Sequence, residues 1–235
     1  MAAGLRARGF DAGVVAAEDV AHGRSFDFDI MYRFFDPPSR DDSERSADYA
    51  ALLDVAYDNA TILIGDVSQV MWSAKGLLAL VSEASATGGE HRSHVPWTRL
   101  IEDTDVTFRS RRYDIAALMI ESRELFVIKK SIGYGGIGTV IGCECSAQEW
   151  EGKIEACLRE PRPWVVQEWM EKPRERLAFL SGEKVVFREC AVDYGLFMFN
   201  GAFAGGARRN TSPQSPHLTH MSGGGGIAPL IVCAT

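Results

Sequence analysis

Two lysines and four glycines stand together in FVIKKSIGYGGIGTVIG, where Lys129 and Lys130 precede Gly133, Gly135, Gly136 and Gly138. Glycine lets backbone N–H groups approach an anion closely, and an ammonium beside them supplies charge, so the pattern suits a phosphate. The core GYGGIG also fits G-x-G-x-x-G. A dinucleotide fingerprint needs a helix directly after the glycines to receive the pyrophosphate. Here Thr139-Val140-Ile141-Gly142 comes next, a β-branched run ending in glycine, and the next helical pattern begins near Ala147. A Walker A loop fails too, because Thr139 rather than Lys follows Gly138. The pattern left is strand, glycine loop, strand. Lys129 and Lys130 point to opposite faces of such a strand, so one of them can face a ligand. A lid over phosphate and a plain flexible hairpin with an exposed lysine both satisfy the local pattern.

The elements that would position this loop fall into two groups. Before it, Ala2 to Arg8 reads as a helix stopped at Gly9, Ala12 to Val15 as a short strand, and FDFDIMYRFF as a longer one. Ala47 to Tyr57 has helical spacing that places Leu52, Leu53 and Ala56 on one face. TILIGD reads as a strand and SAKGLLALVSEASA as a helix. This alternation predicts a small open α/β layer over 1–90, with ATGGEHRSH as the boundary. The second region, 91–235, predicts α+β. Tyr113 to Ser122 reads as a helix, FVIKK and TVIG as strands, and Ala147 to Leu158 as a helix with an apolar stripe of Trp150, Ile154, Cys157 and Leu158. WVVQEWM and KVVFRECAVDYGLFMF read as strands, NGAFAGGARR as a turn and return strand, and HLTHMSGGGGIAPLIVC as a glycine-rich close.

Composition bounds the class. The 235 residues suffice for one large or two modest domains, and 46% apolar with 24% charged residues reads as a globular chain. A formal charge of -7 argues against a broad nucleic-acid surface while allowing a local positive site. Five cysteines in no dense framework point to a reducing, cytoplasmic setting. Cys143 and Cys145 alternate on an expected strand and make a poor metal pair without nearby His or Cys partners. No apolar run approaches the roughly 20 residues of a membrane span, and the N-terminus has no secretion-signal pattern.

Beyond the loop, FDIMYRFF, SAKGLLAL, HVPWTR, LFVIKKSIGYGGIGTVIG, PWVVQEWM, VDYGLFMFNGAFAGG and HMSGGGGIAP succeed one another in order. In that order and spacing the chain resembles the circularly permuted ATP-grasp proteins, relatives of glutathionylspermidine synthetase-like ligases, across residues 26–230. The resemblance implies ATP between two α+β layers. Lys129 falls at the family's phosphate-contacting lysine, with Lys130 in place of its proline, and Gly133, Gly135, Gly136 and Gly138 would form the phosphate lid. Gln167, Glu168, Trp169 and Met170 match the hinge against adenine, where backbone groups read the base edge and apolar side chains cover its face. Their other reading is a strand end with Trp169 and Met170 in the core.

By the same resemblance Asp193 matches an acidic position facing Mg-ATP; its other reading is a strand-end cap or a salt bridge. Arg209 matches a basic position that offsets phosphate or acyl-phosphate charge, with Arg208 as the solvent-facing member of the pair. Gly223, Gly224, Gly225 and Gly226 match a final glycine loop, where His220 stands in place of the usual Asn; an ordinary surface histidine is its other reading. Lys75 matches a lysine near a helix start, and Trp97, Thr98 and Arg99 match without an assigned role.

The implied chemistry is that of an ATP-dependent carboxylate–amine ligase using Mg²⁺ and passing through an acyl phosphate, with an unspecified acid and amine. In the family an E-x-N segment, before the glycine-rich strand, supplies the principal magnesium ligands. None precedes Lys129, so another chain or an upstream segment is expected to supply them. A remnant that binds nucleotide or a partner without catalysis, and a non-catalytic interaction domain, are the alternatives.

Overall fold

The computed structural model describes residues 1–21, 28–33, 43–58, 61–65, 68–86, 94–133, 135–214, 216–219 and 224–230. They form two compact units, Met1–Ser73 and Ala74–Thr235, in a mixed α+β architecture with several antiparallel sheets.

The first unit holds helices α1 (Ala2–Arg6) and α2 (Ala17–Ala21), strand β1 (Ile30–Tyr32), α3 (Ser43–Asp58), β2 (Ile62–Ile64) and α4 (Ser68–Ser73). β1 and β2 pair in parallel, Ile30 opposite Ile62, joined by a crossover that contains α3. Leu52 and Ala56 of α3 are buried and Leu53 is half-buried, so the helical face read from the spacing is present. The stretch Ala12 to Val15 forms no strand, and of the expected run β1 takes Ile30–Tyr32 while Phe28, Asp29 and Arg33 stand outside it and Phe26, Asp27, Phe34 and Phe35 lie outside the described residues. Arg33 is anchored by donating from Nε to the Gly65 carbonyl.

The second unit begins with α5 (Lys75–Ala86). α5 groups with this unit because it is hydrogen-bonded to segments C-terminal to it, while the expected boundary loop ATGGEHRSH lies, apart from Ala86 and His94, outside the described residues. The Gly76 N–H donates to Ser131 Oγ at 3.0 Å, and Ser82 Oγ accepts from the Thr98 N–H at 3.0 Å. Then come β3 (Thr98–Leu100), the hairpin β4 (Asp105–Phe108) and β5 (Arg111–Asp114), and α6 (Ile115–Glu121). The hairpin occupies part of the segment read as helix. It turns at Arg109 and Ser110, both at positive φ (47° and 66°), a conformation that glycine usually supplies.

A four-stranded antiparallel sheet comes next, in the order β3–β8–β6–β7, with β6 (Phe126–Lys130), β7 (Val140–Ile141) and β8 (Trp164–Glu168). On one face Phe126, Ile128, Trp164 and Val166 pack with Trp150, Ile154 and Cys157 of α7 (Ala147–Arg159) and with Leu118 and Met119 of α6. Leu158 is exposed, so the stripe of α7 is one residue narrower than its spacing predicts. α7 starts with a capping box in which Ser146 and Glu149 satisfy each other's backbone N–H. Cys143 and Cys145 lie in and after a 3-10 turn, Gly142–Glu144, not on a strand. That turn lies so close to the main chain that a Cβ on Gly142 would sit 2.0 Å from the Arg123 carbonyl oxygen.

The second sheet has the order β12–β11–β10–β9, with β9 (Arg174–Ser181), β10 (Lys184–Phe199), β11 (Ala202–Asn210) and β12 (Gly226–Pro229). The sixteen residues of β10 serve two partners: Lys184 to Ala191 pair with β9, and Val192 to Phe199 pair with β11. At this change of partner the Val192 N–H donates to the Pro173 carbonyl at 2.9 Å, and the Ala191 N–H donates to Thr211 Oγ1 at 3.0 Å. Cys190, Val192 and Leu177 are buried on one face, and Asp193 lies on the other. Among the described residues, no helix is long and apolar enough to cross a membrane.

Candidate functional site

β6 and β7 are the antiparallel arms of a hairpin, with Val127 opposite Ile141 and Ile128 opposite Val140. The glycine loop is therefore the strand-to-strand turn expected from TVIG, and no helix directly succeeds it to receive a pyrophosphate. Gly135, Gly136 and Gly138 all take positive φ (61°, 77° and 76°), which only glycine adopts readily. The Thr139 N–H closes the turn on the Gly136 carbonyl at 3.0 Å.

The two lysines part as strand geometry requires. Lys130 points to the α6–α7 face, with Nζ 5.3 Å from the centre of the Trp164 ring. Its alkyl chain lies under the turn, and a Cβ on Gly138 would meet Lys130 Cε at 3.2 Å. Lys129 points to the opposite face and donates from Nζ to Gln167 Oε1 at 2.6 Å. Gln167 Nε2 in turn donates to Thr98 Oγ1 at 2.9 Å, and the Thr98 hydroxyl donates to the Pro96 carbonyl at 2.8 Å. This chain runs one way only. The carbonyl end of the Gln167 amide must face the ammonium, because an ammonium has no lone pair to accept with.

Two further lysines reach the same place. Lys75, at the start of α5, donates from Nζ to the Gly133 carbonyl at 2.7 Å. Lys172, in the segment after β8, donates to Asp193 Oδ2 at 3.0 Å and to Thr219 Oγ1 at 2.9 Å. The Thr219 hydroxyl closes the triangle by donating to Asp193. The Lys129 pKa is lowered to about 8, first by burial and then by the charges of Lys75 and Lys172, with Asp193 opposing. Burial also lowers Lys75. Among the described residues, Lys129 thus feels two further ammonium groups and one carboxylate, an arrangement that attracts anions.

A scan against protein-family models and a search of curated proteins each find no match to this chain.

The remaining site residues fall around this cluster. At the end of β8 the Glu168 N–H donates to the Trp97 carbonyl at 2.8 Å and the Trp169 N–H to the Leu125 carbonyl at 2.7 Å. The Glu168 carboxylate is paired with Arg109 at 3.0 Å. Trp169 is half-buried and meets the His217 ring edge-on at 5.7 Å, whereas Met170 is exposed, so Met170 is not a core residue. A cavity of about 270 Å³ opens here, lined by Trp169, Lys172, Arg174, Ala191 and His217 among others. Arg209 stands opposite Asp193 in the β10–β11 register and shares its face, with an exposed side chain. The roles expected of the arginine pair are exchanged in exposure: Arg208 is the more buried and lies 3.9 Å from Glu175. Gly224 and Gly226 border Ser212 and Asn210, while Gly223 and His220 lie outside the described residues.

Sequence reasoning assigned no site role to Lys172, Thr98, Thr219 or His217. Lys172 and Thr219 lie in irregular segments where no periodicity indicates direction. Thr98 could have been found through its pairing with Gln167, a relation across 69 residues that only the sheet reveals.

Proposed function

We propose that the chain binds ATP and belongs to the circularly permuted ATP-grasp ligases, activating a carboxylate for attack by an amine. The observation that carries this reading is the convergence of Lys75, Lys129 and Lys172 beside a glycine hairpin and a strand end. A phosphate chain would lie among the ammonium groups, and the base would lie against the Trp169–Met170 backbone. The carboxylate oxygen would attack the γ-phosphorus, releasing ADP and leaving an acyl phosphate. The amine would then attack the acyl carbon and expel phosphate. The lysines offset the negative charge that gathers on the transferring group, and Arg209 stands on the Asp193 face where it can do the same.

Mg²⁺ is the metal this reading implies, and the residues present do not fit it as protein ligands. Magnesium wants several oxygens in near-octahedral array. Asp193 offers one carboxylate, already bonded to the Lys172 ammonium and the Thr219 hydroxyl. Among the described residues no group of three metal-ligating side chains is present. This observation also favours the second reading, a nucleotide binder without turnover. Calorimetric titration with ATP, combined with a screen of acid and amine pairs for ADP release, tests both. Saturable binding with ADP release supports the ligase, binding alone supports the second reading, and no binding removes both.

A further inference from the structure

Asp193 is the carboxylate that touches the lysine cluster, and its contact there is a lysine. Lys172 Nζ lies at 3.0 Å from Asp193 and 2.9 Å from Thr219, where a carboxylate-bound cation would stand. We propose that Lys172 takes the place of a divalent cation at this site, so that the cradle takes a polyphosphate chain without metal. This rests on the reading of the site as one for nucleotide and departs from it on the metal alone.

Donor arithmetic supports the assignment. Each ammonium carries three N–H bonds. Among the described residues the protein takes one from Lys75, one from Lys129 and two from Lys172, so every lysine keeps a donor for a ligand. The three come from separate places, the start of α5, the end of β6 and the segment after β8, which suits a chain of linked phosphates better than a single one. Electrostatics point the same way. A dication approaching Asp193 would have to displace an ammonium already in hydrogen-bond contact while Lys75 and Lys129 repel it, whereas an anion is attracted by all three. Asp193 and Thr219 hold the Lys172 head in position before any ligand arrives, so the charge needs no reorganisation on binding.

The test is calorimetric titration of the full chain with ATP and with inorganic tripolyphosphate, each in EDTA and in excess MgCl₂. The wild type, Lys172→Gln, Lys172→Arg and Asp193→Asn are compared, with circular dichroism as the folding control. Both ligands are expected to bind the wild type in EDTA, ATP within about threefold of its affinity in magnesium. Lys172→Gln is expected to weaken binding in EDTA at least about tenfold, and Lys172→Arg to restore most of it. Binding of ATP only in magnesium, with affinity lost in Asp193→Asn, makes Asp193 a metal ligand and overturns the inference while the nucleotide reading stands. Lys172→Gln binding as the wild type does in EDTA also overturns it. No binding of either ligand in either condition sinks the inference and the nucleotide reading together. Should Lys172→Gln fail to fold, the wild-type comparison of EDTA with magnesium still decides.

Discussion

Lys129 and Gln167, 38 residues apart in the chain, meet at 2.6 Å on the same face of neighbouring antiparallel strands. The Gln167 amide is held by Thr98 behind it, so the ammonium it accepts from is fixed in one direction. If the site takes a phosphate chain, Lys129→Met lowers ATP affinity by about tenfold or more, the loss of a charged hydrogen bond of roughly 1.5–3 kcal/mol. Calorimetry measures it directly, and unchanged affinity would place the ligand elsewhere.

The lowered pKa of Lys129 gives a signed pH dependence. Between about 8 and 10.5 the unfolded chain holds a proton that the folded Lys129 has released. Stability therefore rises with pH across that window, because the unfolded state binds more protons. Denaturant midpoints at either end of the window check it, and Lys129→Met flattens this part of the rise. A bound anion reverses the shift, so ATP binding near the lower end of the window draws in protons. Titrations in buffers of different ionisation enthalpy detect that uptake, and Lys129→Met removes it.

Thr98→Val keeps the shape of the side chain and deletes the acceptor for Gln167 Nε2. Leaving that donor without a partner costs about 1–3 kcal/mol of stability. Because Lys129 is untouched, the proton uptake on ATP binding is retained while affinity falls several-fold. Loss of the uptake would show that Thr98 does more than position the amide.

Two glycines predict opposite outcomes for the same substitution. Gly142→Ala would put a methyl 2.0 Å from the Arg123 carbonyl oxygen, and backbone must move to admit it. Overpacking of this kind costs about 1–3 kcal/mol. Gly152→Ala, inside α7 with nothing within 4 Å of the new methyl, stabilises by about 1 kcal/mol through helix propensity. Chemical denaturation separates them by sign.

The far end of the β10–β11 hairpin exposes Leu196, Phe197, Met198, Phe199 and Phe203. Exposed apolar side chains gathered at a hairpin tip promote association. Phe197→Ser with Phe199→Ser is expected to reduce dye binding and concentration-dependent light scattering without moving the stability by more than about 0.5 kcal/mol. Unchanged scattering would show that association arises elsewhere.

How far the chain could be read differs by element. The β-branched run after GYGGIG carried enough information to reject a helix, and the β6–β7 hairpin agrees with it. The stripe of α7 was legible because Trp150, Ile154 and Cys157 repeat at helical spacing. The β4–β5 hairpin was not, because its turn uses Arg109 and Ser110 where glycine or asparagine would have signalled it. β9 escaped because RERLAFLS mixes charge with apolar residues on a strand whose one face is exposed. At the site, Lys129 and the glycines were visible as a local pattern. Lys172, Thr98 and Thr219 were not, since each gains its meaning from a partner at least 21 residues away.

The change of partner in β10 has a consequence for how such a chain can vary. Pro173 and Thr211 are fastened to adjoining residues, Val192 and Ala191, so the loop bearing Lys172 and the strand bearing Asp193 are tied at one place. Deleting a single residue at that tie would turn the carboxylate to the face of Cys190 and leave Lys172 stranded. Insertions can accumulate at the hairpin tips without touching this pair. The tie itself tolerates only exchanges of side chain, and lineages of this protein would carry a fixed count of residues there while their hairpins lengthen and shrink.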